Sequence, residues 1–243
     1  FQRLKWVAGF AIIALLIIWY VQTGGPALAI LSVGIAFWLL FATLREWAMR
    51  IKLFDVPLTQ SLRRARNLPR AAHGMTLAHA GLAVVMLGMI GSSAWKSEQV
   101  VFVEPGSAVS IAGYDVSFEG VERGPGVNWI ADTATLIVRR DGAEVTRLYP
   151  ERRFYPVAGS STTESAILSR PSGDLYASIS EPSSEEAKAA GRWTLRILFE
   201  PLVGFLWLGG AMLIGGGLLS LSDRRLRVGA PRRKSAAVAA PAE

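Results

Sequence analysis

Four apolar stretches run along the chain, at residues 6–21, 25–44, 75–94 and 202–221, and none contains Asp, Glu, Lys or Arg. A hydrocarbon core of about 30 Å takes roughly 20 residues at helical rise, so the pattern predicts four spanning helices, the first of them the shortest. With Arg3 and Lys5 ahead of it and Ala27-Leu28-Ala29 behind, that first run imitates a signal peptide. Apolar sequence resumes at Ile30 and continues to Leu44, which favours a two-helix hairpin turning at Thr23-Gly24-Gly25-Pro26. Between the third and fourth runs the pattern changes to short alternating segments bounded by Gly, Pro and acidic residues. Strands are expected at 100–103, 109–111, 114–118, 133–139, 144–149, 174–180 and 193–199, with Arg140-Asp141-Gly142-Ala143 as a hairpin turn. The expected fold is a polytopic α-helical membrane protein with an antiparallel β-rich domain, a small sandwich or barrel, inserted before the last helix.

Charge adds direction to this picture. The formal net charge is +7, yet hydrophobic residues make up 51% of the chain and charged residues only 19%, a balance that argues against a nucleic-acid binder. Residues 96–195 hold 10 Lys/Arg against 14 Asp/Glu, or −4, so the basic surplus lies beside the apolar runs. Arg45, Arg50, Lys52, Arg63, Arg64, Arg66 and Arg70 fill the second connection, and Arg224, Arg225, Arg227, Arg232, Arg233 and Lys234 follow the last run. The positive-inside rule and anionic lipid account for both clusters. The expected organisation is therefore a transmembrane hairpin at 1–45, a basic cytoplasmic loop at 46–72 and a third spanning helix at 73–95. A periplasmic β-rich domain at 96–199, a fourth helix at 200–222 and a basic disordered cytoplasmic tail at 223–243 follow. Both ends of this portion are expected in the cytoplasm. The chain opens on Phe1 and is apolar within five residues, so further sequence is expected ahead of it.

Without cysteine there is no disulfide, thiolate metal site or catalytic thiol. No Ser/His/Asp set, phosphate loop or paired-carboxylate motif can be assembled, and the catalytic residues stay unknown. Of the two histidines, His79 falls inside the third apolar run, in Met75-Thr76-Leu77-Ala78-His79-Ala80-Gly81. An ionisable group within a spanning helix is costly, and by default it meets a partner, a cavity or a cofactor. Gly74, Ala78, Ala80, Gly81 and Ala83 would admit a second helix or a flat macrocycle close to the backbone. Both readings stand: a ring bonded to a neighbouring carbonyl, or a metal or haem ligand. His73 is read as an interfacial, solvated residue. Trp95, Trp193 and Trp207 are expected at membrane boundaries, and Trp129 in the core of the exported domain or in an interfacial belt. Glu151-Arg152-Arg153 and Thr162-Thr163-Glu164 read as a solvated face that could dock a partner.

Several of these stretches together resemble a known family. They are Gly74-Met75, His79-Ala80-Gly81-Leu82-Ala83, Asn128-Trp129 and Leu148-Tyr149-Pro150-Glu151-Arg152-Arg153-Phe154-Tyr155, then Thr162-Thr163-Glu164-Ser165-Ala166-Ile167, Asp174-Leu175-Tyr176-Ala177 and Gly209-Gly210. In this order they resemble the C-terminal portion of the CcmF-type cytochrome c maturation proteins, polytopic haem lyase subunits of the bacterial inner membrane. The resemblance implies a part in attaching haem covalently to the Cys-x-x-Cys-His segment of apocytochrome c in the periplasm. The haem vinyl groups add to the two thiols, which calls for reduced thiols and, in most schemes, ferrous iron. The implied partners are membrane lipid, a haem chaperone, apocytochrome c, other maturation subunits and the upstream portion of the same protein.

The resemblance also implies haem b as cofactor, with His79 as one axial ligand and Trp129 as a candidate contact for a haem edge or partner. The Gly-Pro-Asn-Trp element of relatives reads Gly124-Pro125-Gly126-Val127-Asn128-Trp129 here, with extra residues. The tryptophan-rich haem-handling motif of the family, its periplasmic histidines and the second haem ligand would all lie upstream of Phe1. A nitrite-reductase-specific paralogue would share these features. The competing reading is a membrane-anchored periplasmic scaffold that binds partner proteins without a cofactor. A transporter half is disfavoured because the spans lack acidic residues and a pair of broken helices.

Overall fold

The computed structural model describes residues 5–21, 26–181, 186–187 and 190–223. Arg3, the turn residues Thr23, Gly24 and Gly25, and the basic tail from Arg224 onward with its expected disorder lie outside the described residues.

The apolar runs form α1 (Lys5–Val21), α2 (Ala27–Arg50) and α4 (Arg70–Ala94), and the last run forms α5 (Gly204–Leu221). The helices α2, α4 and α5 have 24, 25 and 18 residues and are long and apolar enough to cross a membrane. At 1.5 Å per residue they measure roughly 27–37 Å, against a core of about 30 Å. The four expected spans thus resolve into three of that length and a shorter apolar helix, α1, of 17 residues. It lies along α2, where the Phe10 and Phe41 rings are 5.6 Å apart. Five further residues carry α2 past Arg45 to Arg50, because nothing in Arg45-Glu46-Trp47-Ala48-Met49 breaks a helix and Arg50 bonds back to Glu46 one turn earlier.

The segment expected as a basic loop contains a helix of its own, α3 (Leu58–Asn67). Pro57 and Pro69 stand immediately ahead of α3 and α4. A proline disfavours helical backbone in the residue before it, and Leu68 is accordingly extended at φ −63°, ψ 146°.

Among the described residues ten antiparallel strands follow: β1 (Ser97–Val103), β2 (Ala108–Ile111), β3 (Tyr114–Pro125), β4 (Ile130–Arg140), β5 (Ala143–Leu148), β6 (Glu151–Tyr155), β7 (Ser160–Glu164), β8 (Ala166–Arg170), β9 (Gly173–Ser180) and β10 (Trp193–Pro201). One sheet runs β1-β10-β9-β8; the other runs β2-β3-β4-β6-β7, with β5 on the remaining length of β4. Alternate side chains of both sheets meet between them, and Phe118, Leu136, Leu175, Ile179, Leu195 and Ile197 are among those fully enclosed. Each such side chain contributes about 1.5–3 kcal/mol of burial. The Asp141-Gly142 turn has φ of 53° and 80°, the doubly positive geometry that joins β4 to β5 in two residues.

The sandwich is mounted directly on two helices. α4 runs into β1 and β10 runs into α5, while β1 and β10 pair with Ser97 opposite Phe199. The antiparallel pair α4/α5 is therefore continued by an antiparallel pair of strands.

One expectation changes here, and another gains its secondary structure. Trp193 begins β10 at the end away from α5, packed against the sandwich core opposite Val103, which is roughly 26 Å of strand from Pro201 and no membrane boundary. The runs expected as a solvated face form the neighbouring strands β6 and β7, missed as strands because their charged and hydroxyl side chains hide the alternation; Thr162 and Thr163 are exposed there and Glu151, Arg152 and Arg153 half-buried.

Candidate functional site

His79 lies on α4 opposite the face that meets α5. Gly74, Ala78 and Gly81 all look toward α5: added β-carbons at 74 and 81 would strike Ser220 and Met212, and one at Gly216 would strike Ala78. These three small residues, which could have admitted a macrocycle, are thus occupied by a helix. Two residues from Gly81, or about 200° around the helix, His79 is exposed and faces the other way.

There it lines a groove of about 450 Å³ between α4 and the α1/α2 pair, with Val7, Leu39, Thr43, Arg45, Met49 and Met75 among its neighbours. Pockets that hold small ligands and cofactors span roughly 300–1,000 Å³ and are mainly apolar with a few polar groups, as this one is. The Nδ1 atom of His79 is 2.8 Å from the carbonyl oxygen of Met75. A carbonyl only accepts, so the ring proton of the neutral imidazole sits on Nδ1, and Nε2 carries the free lone pair. The hydroxyls of Thr43 and Thr76 donate to the carbonyls of Leu39 and Ala72. Neither competes for the imidazole.

That donor set fits one axial position of a haem: a neutral imidazole whose second nitrogen is held by a backbone carbonyl, on the wall of an apolar groove. Among the described residues no three His, Cys, Asp or Glu side chains gather as a multi-ligand metal centre would need.

His73 departs from its expected role. It is half-buried at a junction of three helices, with Nε2 2.9 Å from the carbonyl of Ala65 on α3 and Nδ1 3.3 Å from the indole Nε1 of Trp47 on α2. The same donor logic gives the opposite tautomer: Nε2–H donates to Ala65 and Nδ1 accepts from Trp47. Both ring nitrogens are engaged, so His73 fastens α3 to α2 and α4.

Trp129 closes the four-residue turn between β3 and β4, where the Gly126 N–H donates to the Trp129 carbonyl at 2.8 Å. Its ring folds back over Gly126, half-buried at the hairpin tip and outside the sandwich core. The Arg153 guanidinium stacks 4.6 Å from its centroid and the Tyr155 ring lies 6.0 Å away. Arg153 is also bonded to Glu151 at 2.7 Å. Beside them Arg152 lies 3.7 Å from the buried Asp132 and 2.8 Å from Glu181. The first part of the charge run is thus a cross-strand ion-pair network, and the Trp129–Arg153–Tyr155 cluster beside it offers an aromatic surface. His79 and Trp129 belong to different parts of the fold.

Membrane-length helices in direct continuity with an antiparallel β-sandwich define a multi-pass membrane protein with one β-domain. Residues 94–201 match the family described as the CcmF C-terminal beta-sandwich. The chain is 39% identical over 226 residues to the cytochrome c-type biogenesis protein CycK of Bradyrhizobium diazoefficiens, covering 93% of this chain and 33% of that protein. It is 34% identical over 225 residues to the cytochrome c-type biogenesis protein CcmF of Escherichia coli, covering 93% and 32%. A solved structure described as Cytochrome c Heme Lyase CcmF superposes with a TM-score of 0.65 at 19% identity, over 90% of this chain and 34% of that one, a likeness of fold. The chain belongs to the CcmF-type cytochrome c biogenesis proteins, in the portion that carries their C-terminal sandwich. It spans about a third of the length of these relatives.

Proposed function

We propose that this chain is part of an inner-membrane haem lyase that joins haem to the Cys-x-x-Cys-His segment of apocytochrome c, and that His79 is an axial ligand of a b-type haem in the groove between α2 and α4. The observation that carries the reading is the bond from His79 Nδ1 to the Met75 carbonyl, which leaves Nε2 free on an apolar wall. When bound there, haem would supply reversible one-electron chemistry at its iron. The chain's own part is to hold the imidazole in one tautomer and to line the groove with apolar side chains. The other axial ligand would come from the upstream portion of the protein.

The basic α3 segment and the acidic sandwich lie beyond opposite ends of α4, which supports α3 in the cytoplasm and the sandwich in the periplasm, facing chaperone, apocytochrome and other maturation subunits. The Trp129–Arg153–Tyr155 cluster is the surface we assign to one of those contacts.

The test is a reduced-minus-oxidised visible spectrum of the full-length protein in detergent, wild type against His79→Gly. The reading expects a low-spin b-type signal that is lost or turns high-spin in the variant and returns with added imidazole. Identical spectra, or no haem in a folded wild type, would remove His79 from the iron and favour the cofactor-free scaffold.

A further inference from the structure

Arg45 has no carboxylate partner among the described residues, although it lies within α2, a helix of membrane-spanning length, and is half-buried. Its sequence neighbour Glu46 is committed elsewhere: Glu46 Oε1 accepts from Arg50 Nη2 at 2.6 Å and from Nε at 3.2 Å. Asp55 lines a neighbouring apolar cavity of about 610 Å³ that Arg45 also borders, but forms no ion pair with it. A half-buried guanidinium that borders an apolar groove and has no anion beside it is a place where an anion can arrive from outside the chain.

The groove of His79 supplies the place. Arg45, Glu46 and His79 are the ionisable groups on its wall; the rest of the lining is Val7, Leu39, Ala42, Met49, Met75 and two threonines. Helical rise places Arg45 about 7.5 Å back from the end of α2 and His79 about 13.5 Å in from the start of α4. Those two ends are joined by the α3 segment, so they lie on the same side. Arg45 therefore stands roughly 6 Å nearer that side than the imidazole, on the facing helix. A flat ring held at its centre by His79 and carrying carboxylates on one edge would bring that edge to Arg45.

We propose that Arg45 receives a carboxylate of the macrocycle, a haem propionate, and so fixes which edge of the ring points toward α3. This rests on the His79 reading above. The planar guanidinium can grip a carboxylate with two parallel bonds, which an ammonium cannot. Arg45 is a positioning residue, since the iron ligand is unchanged whether or not it is present.

The experiment uses the full-length protein with three readouts: the spectrum, the haem midpoint potential, and the rate at which haem passes to an apoglobin acceptor. Arg45→Gln should keep the low-spin spectrum, lower the potential because a positive charge near the ring favours the reduced state, and lose haem about tenfold faster. Arg45→Lys should restore most of the potential and little of the retention. Wild-type protein loaded with haem dimethyl ester, whose propionates are masked, should lose its ring as fast as Arg45→Gln loses ordinary haem, with no added effect of the substitution. Equal loss of haem and of its ester from the wild type overturns the proposal, and this arm needs no variant to fold. An unchanged potential in Arg45→Gln overturns it too. If His79→Gly keeps the wild-type spectrum, the ligand assignment itself fails and the Arg45 proposal falls with it.

Discussion

The carbonyl oxygen of Gly81 stands 2.6 Å from the point where any β-carbon at Gly209 would lie, and the carbonyl of Gly209 stands 2.9 Å from the corresponding point at Gly81. At these positions α4 and α5 are in backbone contact, with no room for even a methyl group. Small residues at a helix interface give this kind of approach, where dispersion replaces the hydrophobic drive that lipid does not supply.

Gly209→Leu should therefore force the helices apart and cost at least the about 1–3 kcal/mol typical of overpacking, since backbone rather than a flexible side chain must give way. Gly210 is the control, because an added β-carbon there meets nothing within 4 Å, and Gly210→Ala should lie within about 0.5 kcal/mol of wild type. Thermal unfolding in one detergent, followed by circular dichroism, checks both. Equal behaviour of the two variants would mean that the contact contributes nothing.

The backbone logic of α5 was readable only in part. Gly209-Gly210 looks symmetrical in sequence, but one glycine faces α4 and the other faces away; the partner helix decides which matters. His79 was legible because a lone ionisable group inside an apolar run is conspicuous whatever surrounds it. The role of its small neighbours was not, since helix and macrocycle demand the same side chains and only the position of α5 separates the two. Arg45 read as the first of the basic residues that fill the second connection, because the apolar run stops at Leu44. The helix continues to Arg50, however, and carries Arg45 onto the groove wall. The hairpin at Asp141-Gly142 was plain from local chemistry, whereas β6 and β7 become strands through pairing with β4 and with each other.

His73→Leu should loosen α3 while leaving the sandwich intact. The substitution removes two hydrogen bonds at once, leaving the Trp47 indole N–H without its acceptor and the Ala65 carbonyl with only the Leu68 N–H, in a half-buried junction. The orphaned indole donor costs about 1–3 kcal/mol and the lost bond to Ala65 about 0.5–1.5 kcal/mol. Trp47→Phe removes only the donor to Nδ1 and should cost less. Amide hydrogen exchange across Leu58–Asn67 is the measurement: exchange there should rise in the order wild type, Trp47→Phe, His73→Leu, with β3 and β4 unchanged. A uniform rise in both regions would mean that His73 supports the whole fold and not this one junction.

The sandwich should lose stability in alkali through one identifiable group. Burial, followed by the nearby charges of Asp174 and Glu200, pushes the Tyr176 phenol above its ordinary value of 10.0. The charged phenolate is the disfavoured form, so the folded state keeps its proton at a pH where the unfolded chain gives it up. The corresponding stability is fully present below about pH 10 and is lost as pH rises through the folded value. Tyr176 sits on β9 opposite Leu198 of β10, its ring on the face turned away from Leu175 and Ala177, so Phe can replace it without entering the core. Tyr176→Phe removes the titrating group and keeps the ring. Wild type should therefore show a steeper fall in unfolding temperature above pH 10 than Tyr176→Phe, while the slopes of the two agree near neutrality. Parallel curves throughout would place the alkaline loss on other groups and leave Tyr176 without a share in it.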